Sequence, residues 1–258
     1  MAIIPLMQLP CPVPAWFRQH FNEDYRLLYP HRDQAEAERE VDGAIRELGI
    51  APGERVLDLC CGFGRHVVAL ARRGIAAVGV DISLRLLGQA DRSAAPHLVC
   101  ADMRALPFAG GPRGFSVLVN FFTSFGYFET DLENQAAACE MARVLRPGGR
   151  FALDLMNADG AVRCLSPRTD RRLGDCRIVE ERRHDPRRRR IEKRITLEVE
   201  GTQEVRSYFE SVRLYDPAEI EALLDSAGLE VERRLGAFSG AAFDSGSPRM
   251  IVFGRKPA

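Results

Sequence analysis

Lysine is almost missing from this chain of 258 residues: only Lys193 and Lys256 occur among its 36 basic residues. That bias speaks of coding composition before any binding surface. Net charge is missing too, since 36 acidic residues balance the basic ones, so no overall field draws the chain to nucleic acid or an anionic membrane. No apolar run reaches the roughly 18 residues that a membrane span needs. The most apolar stretch, 115–128, reads as a buried strand and pocket wall. The cysteines (11, 60, 61, 100, 139, 164 and 176) contain no CxxC pair and no metal-ligand spacing. Their odd number and scatter argue for reduced thiols in a cytoplasmic protein, with no metal site. The opening segment MAIIPLMQLPCPVPAW lacks a basic start and is broken by Pro5, Pro10, Pro12 and Pro14. It does not read as a signal peptide.

What is present is a strand–turn–helix unit. In RVLDLCCGFGRH, Arg55 to His66, the apolar Val56, Leu57 and Leu59 run into a glycine turn, and Val67 to Arg73 continue as a helix. Gly62 and Gly64 carry no Cβ, so backbone there can approach a ligand. Asp81 lies 17 residues beyond Gly64, at the end of the apolar run 76–80, where its carboxylate can accept two ribose hydroxyls. Asp102 closes a third run, 98–101. Three strand ends thus present a turn or a carboxylate at one sheet edge, where open α/β folds bind ligands. A dinucleotide fingerprint requires a third glycine at its sixth position. Counted from Gly62 that position is Val67, and extra carboxylates repel a pyrophosphate. A cationic sulfonium carrying ribose and adenine suits the edge better.

At these residues the chain resembles the class I, Rossmann-like S-adenosylmethionine-dependent methyltransferases. LDLCCGFG is similar to the family's glycine-rich first motif, GVDIS to its ribose-binding motif and ADMRALPF to its adenine-side motif. VLRPGGRFALDL is similar to the helix–turn–strand after its active-site strand. The match covers about 40–156 and resumes at about 212–256. The resemblance implies S-adenosylmethionine as cofactor, with Asp81 on the ribose, Asp102 on the adenine amino group and the Met103 N–H on a ring nitrogen. Cys60 and Gly62 then lie along the methionine part, and Gly64, Ile82 and Asn120 complete the expected cofactor set. Two departures stand out: Cys60 replaces a frequent glycine, and Ser116 replaces a usual aspartate at the start of the active-site strand.

The expected architecture is α/β, a doubly wound and mostly parallel sheet with an antiparallel β insertion and an N-terminal helical arm. Strands are expected near 55–59, 76–80, 97–101, 115–120, 150–155, 229–237 and 249–255. Helices are expected over 33–48, 64–73, 83–92 and 132–145, and from Asp216-Pro217 to Gly228. Ser83 and Asp131 serve as caps, and Pro147-Gly148-Gly149 as a turn. Alternation from Ile191 to Val199 marks a strand with one covered face. Flanking runs at 176–184 and 203–215 make a three-stranded insertion. The units are therefore an arm or lid over 1–50, a cofactor domain over 51–156 and 212–258, and an insertion over 157–211 covering the active site.

A sulfonium-bound methyl is already activated, so no catalytic base is obligatory, and none is assigned. The turn from Asn120 to Tyr127 faces the methyl, with Phe125 and Tyr127 preferred as pocket rings beside the flexible Gly126. Tyr25 is the first choice for an acceptor contact from the arm, near Tyr29 and His31. Arg32 is weighed as a partner for the cofactor carboxylate against an ordinary exposed arginine. His66 is weighed as a base against a helix-start histidine bonded to backbone. Arg206 and Tyr208, on the last insertion strand, are candidates for an acceptor carboxylate. The run Arg187 to Arg190 suits phosphate contacts but reads better as a solvated hairpin tip. The resulting function is methyl transfer to a small-molecule nitrogen or oxygen. Methylation of tRNA or protein, and a noncatalytic nucleoside-binding module, are the alternatives.

Overall fold

The computed structural model describes residues 16–258, so the proline-broken segment, Cys11 and the start of the expected arm lie outside the described residues. The arm holds α1 (Trp16–His20), α2 (Tyr25–Leu28) and α3 (Gln34–Leu48). The core follows as β1 (Arg55–Leu59), α4 (Arg65–Ala71), β2 (Ala76–Asp81), α5 (Leu84–Leu87), β3 (Leu98–Cys100), β4 (Phe115–Asn120), α6 (Asp131–Val144), β5 (Leu145–Met156) and α7 (Ala158–Arg163). An insertion of β6 (Arg168–Leu173), β7 (Cys176–Asp185), β8 (Arg190–Val199) and β9 (Val205–Arg213) comes next. The chain then closes with α8 (Pro217–Ser226), β10 (Glu230–Leu235) and β11 (Arg249–Arg255).

Seven strands form one sheet in the order β10-β11-β5-β4-β1-β2-β3, parallel except where β11 pairs antiparallel with β10 and β5. The chain reverses direction of growth between β1 and β4, a switch point at which α/β sheets open a crevice. All six residues of β4 are buried, as expected of a central strand covered on both faces. Alternation sorts the side chains: Leu57, Leu59 and Leu118 enter one core layer, while Val56, Val117 and Val119 enter the other, beneath α3 and α4. Local chemistry fixes the helix ends. The Asp33 carboxylate accepts the Glu36 N–H at 2.7 Å, and Gly49 ends α3 in the left-handed region at φ 61°.

Several boundaries differ from expectation. The cap of α6 is Thr130, in a reciprocal box with Glu133, and Asp131 is the first helical residue. The segment after Ser83 makes a single turn instead of ten helical residues. Pro147-Gly148-Gly149 bends inside β5, with Gly148 at φ 70° and a register shift against β4, so the strand begins before the turn. The insertion has four strands, not three. Its first, RTDRRL, has no apolar face, which is how an edge strand avoids foreign pairing and why periodicity misses it. The insertion's covered face, Ile178, Ile195 and Leu197, packs on Leu28 and Tyr29 of the arm.

Candidate active site

The ends of β1 and β2 meet through one carboxylate. Asp81 accepts the Gly62 N–H on Oδ2 and the Ser83 N–H on Oδ1, each at 2.8 Å. Burial raises its pKa, and the N–H groups of Ser83, Gly62 and Ile82 pull it back. Around it opens a cavity of about 700 Å³, with Cys60, Gly62, Asp81, Ile82, Asp102 and Met103 on its wall. That volume lies within the range for one small ligand. Six of the eight expected cofactor residues therefore converge.

The other two do not reach the wall. Gly64 sits behind the turn at φ 79°, where a Cβ would approach Ala94 and Leu98 to 3.2 Å. Its freedom lets the turn close onto β3. Asn120 is buried below the floor, its Nδ2 donating to Leu59 O at 2.7 Å and tying the β4 end to the β1 end. Asp102 lines the cavity, but its carboxylate is also clasped by Arg104, at 3.0 Å from Nε and 2.7 Å from Nη2. Cys60 takes φ 62°, a conformation a side chain strains and glycine would not. Its Sγ lies 3.7 Å from Met103 Sδ, across the wall.

A second cavity, of about 670 Å³, adjoins the first. The two share Phe21, Tyr25, Phe122 and Tyr127. Phe21 stacks on Tyr127 at 5.7 Å, and Tyr25 meets Tyr29 at 4.8 Å. Tyr25 and Tyr127, both expected as pocket residues, thus line both cavities. Phe125 does not: it is fully buried core, against Tyr215. Arg206 and Tyr208 clamp Asp24, with Arg206 Nη1 2.6 Å from Asp24 Oδ1 and the Tyr208 hydroxyl on Oδ2. They fasten the arm to the insertion and reach neither cavity, because their strand faces the arm there.

Residues that sequence reasoning missed hold the aromatic loop. Phe122 and Thr123 have φ of 56° and 50°, strained for non-glycine residues. Asp154 compensates: its Oδ2 accepts the Phe122 N–H at 2.8 Å, and its carbonyl accepts the Thr123 N–H at 2.9 Å. Arg249 from β11 neutralises that buried carboxylate, Nε to Oδ1 at 2.6 Å. A lone acid within the apolar FALDL was the available signal for Asp154. Phe21 offered none, standing in an arm without clear period.

The remaining candidates are structural. Arg32 is buried, not exposed, and pairs with Glu36 and Glu40 beside Phe122; it lines neither of the two cavities. His31 is exposed. Of the basic run, Arg188 pairs with Glu129 and Glu192, Arg189 with Asp216 and Glu219, and Arg190 is buried. Arg187 and Arg188 are exposed as a solvated tip requires, Arg189 is half-buried, and Arg190 departs from it.

His66 bonds to a side chain and not to backbone: Nε2 is 2.8 Å from Glu40 Oε2, and its ring stacks on Phe121. Burial, with Arg65 adding repulsion, lowers its pKa to about 4; against its own burial, the same bond keeps Glu40 at about 2. Asp58 lies 3.8 Å from His66 Nδ1, with no hydrogen-bond partner for either oxygen among the described residues. Burial raises its pKa from 3.8 to about 8. Below pH 3.8 it is protonated folded or unfolded, whereas up to about pH 8 only the unfolded chain releases that proton. Its effect on stability is therefore increasingly unfavourable as pH rises through this window. The melting temperature of Asp58→Asn is expected to gain on wild type from pH 5 to pH 8 by calorimetry. A pH-independent gap between them would contradict the assignment.

Fold and cleft define an α/β protein with a ligand-sized crevice at the switch point of its sheet, its wall carrying the carboxylates of Asp81 and Asp102. The family model described as a methyltransferase domain matches residues 56–149. An uncharacterized methyltransferase of Synechocystis sp. is 38% identical over 111 residues, 42% of this chain and 50% of that protein. The chain spans about half the length of the curated relatives it matches. Among solved structures, the CcbJ methyltransferase of Streptomyces caelestis superposes with a TM-score of 0.77 at 22% identity, over 93% of this chain and 98% of that one. A sugar N-methyltransferase of Streptoalloteichus sp superposes at 0.68 and 21% identity, over 100% and 99%. Residues 56–149 therefore carry a methyltransferase domain, and the fold of the chain is the Rossmann-like fold of solved S-adenosylmethionine-dependent methyltransferases.

Proposed function

We propose that this protein transfers a methyl group from S-adenosylmethionine to a nitrogen or oxygen nucleophile of a small molecule. The observation that carries the reading is a pair of ligand-sized cavities joined through one aromatic wall. Asp81, Asp102 and Met103 hold the nucleoside, and Cys60 and Gly62 the methionine part. Bound there, the cofactor supplies a methyl group activated on a sulfonium. The faces of Phe21, Phe122 and Tyr127 favour that positive charge and exclude water. Burial raises the pKa of Tyr25 and Tyr127, so both hydroxyls stay protonated and orient the acceptor instead of deprotonating it. An amine acceptor attacks as the neutral base and needs no more than this alignment.

In this reading residues 1–50 act as arm and lid, 51–156 and 212–258 as cofactor domain, and 157–211 as the cover. Small size of the acceptor is supported by the pairing of Arg188 and Arg189 with acids, which leaves the hairpin tip little free charge for RNA phosphates. Among the described residues no helix is long and apolar enough to cross a membrane, and the expected setting is the cytoplasm. Calorimetric titration should give micromolar affinity for S-adenosylmethionine and S-adenosylhomocysteine and none for NAD. A panel of small amines and alcohols should then release S-adenosylhomocysteine. Binding without turnover across the panel would point to a noncatalytic module, and salt-sensitive RNA binding to a macromolecular acceptor.

A further inference from the structure

The second cavity differs from the first in the groups left over on its wall. Lys193, one of the chain's two lysines, points into it from β8, and Arg249 from β11. Lys193 Nζ donates to the Tyr29 hydroxyl at 2.5 Å and to Glu210 Oε2 at 2.7 Å. An ammonium has three protons, and the third has no partner among the described residues. Arg249 spends Nε and Nη2 on Asp154, and its Nη1 is likewise unpartnered among the described residues. The same holds for the hydroxyls of Thr123, Tyr25 and Tyr127.

The acceptors nearby are already used. Glu210 receives Lys193 on Oε2 and the Tyr29 hydroxyl on Oε1, with His20 Nε2 also 2.6 Å from Oε1. Although it is buried, Lys193 and His20 keep its carboxyl ionised, well below the usual range. Asp154 is occupied by Arg249 and the Phe122 N–H. The wall therefore offers an excess of donors, two of them on cations. The cofactor wall is the reverse, with Asp81 and Asp102 and, among the described residues, no cationic side chain lining it.

We propose that the second cavity selects an acceptor bearing an oxyanion, a carboxylate or a phosphate, seated against Lys193 and Arg249. This rests on the methyltransferase reading and deepens it. Lys193, Glu210 and Arg249 line the second cavity alone, whereas Tyr25 and Tyr127 line both. The anionic end thus lies on the far wall and the nucleophile at the aromatic throat. Charge-assisted bonds to Arg249 Nη1 and the third Lys193 proton complete both cations. A cationic acceptor end would meet those two cations instead.

Binding of benzoate, phenyl phosphate, benzamide and benzylamine to the protein saturated with S-adenosylhomocysteine tests this by ligand-observed NMR. Benzoate or phenyl phosphate should bind at least about tenfold more tightly than benzamide and benzylamine; which of the two anions is preferred separates carboxylate from phosphate. Lys193→Met should abolish the preference while leaving S-adenosylhomocysteine affinity unchanged. Arg249→Lys, which retains a charge beside Asp154, should reduce it. Amide or amine binding as tight as the acid overturns the proposal, as does no binding of any probe at millimolar concentration, or an unchanged preference in Lys193→Met. Loss of S-adenosylhomocysteine binding to wild type is a separate result and counts against the cofactor reading alone.

Discussion

Asp81→Ala is expected to weaken S-adenosylmethionine binding by about two orders of magnitude or more, to below calorimetric detection. Two ribose hydroxyls donating to an ionised carboxylate contribute about 1.5–3 kcal/mol each, and about 1.4 kcal/mol is a factor of ten. The substitution also removes the group that fixes the glycine turn, since Gly62 N–H and Ser83 N–H both end on this carboxylate. Loss of affinity should therefore exceed the loss of two ligand bonds. Stability should change much less, because burial already disfavours the Asp81 charge in the free protein. Asp81→Asn, which retains one carbonyl acceptor, should fall between the two. Micromolar binding to a folded Asp81→Ala would mean that the ribose lies elsewhere.

Arg190→Met should be the most destabilising change in the basic run, while Arg187→Met should be silent. Arg190 is buried, and its guanidinium reaches Ser211 Oγ at 2.7 Å, Ser211 O at 2.8 Å, Phe128 O at 3.0 Å, Gly126 O at 3.2 Å and Tyr127 O at 3.4 Å. It ties β8 to the backbone of the loop that carries Tyr127 into both cavities. Truncation strands several buried carbonyls, a cost of about 3–5 kcal/mol. At roughly 2–4 °C per kcal/mol for a chain of this size, a fall near 10 °C in melting temperature follows. Cofactor affinity should drop with it, as the aromatic wall loosens. Surface replacement at Arg187 should remain within about 0.5 kcal/mol of wild type. Equal thermal shifts for the two variants would contradict the strut.

The part of the first cavity built from strand ends was legible because it is local. Cys60, Gly62, Asp81, Ile82, Asp102 and Met103 each lie at or just past a strand end, and a parallel sheet brings such ends to one edge whatever else the chain does. Gly64 and Asn120 share that edge but turn toward packing and do not line the cavity. Of the expected pocket rings, Tyr25 and Tyr127 line the second cavity, whereas Phe125 is buried core. Three aromatic residues spaced by one or two positions in an irregular loop carry no periodicity from which to tell wall from core. Arg206 and Tyr208 were read as pocket residues because their strand was expected to cover the cleft. Glu210 and Val212 of that strand line the second cavity, but Arg206 and Tyr208 meet the arm's Asp24 instead.

By itself the sequence determined the parallel sheet, its glycine turn and the chemistry of the nucleoside edge, through strand-length apolar runs and the polar residues that end them. Only the tertiary structure decided the rest. Glu210 and Lys193 come from the insertion, Tyr29 from the arm, Asp154 and Arg249 from neighbouring strands almost a hundred residues apart. Their meeting depends on how the insertion folds back across the arm, and contacts between distant segments leave no spacing in the chain to read.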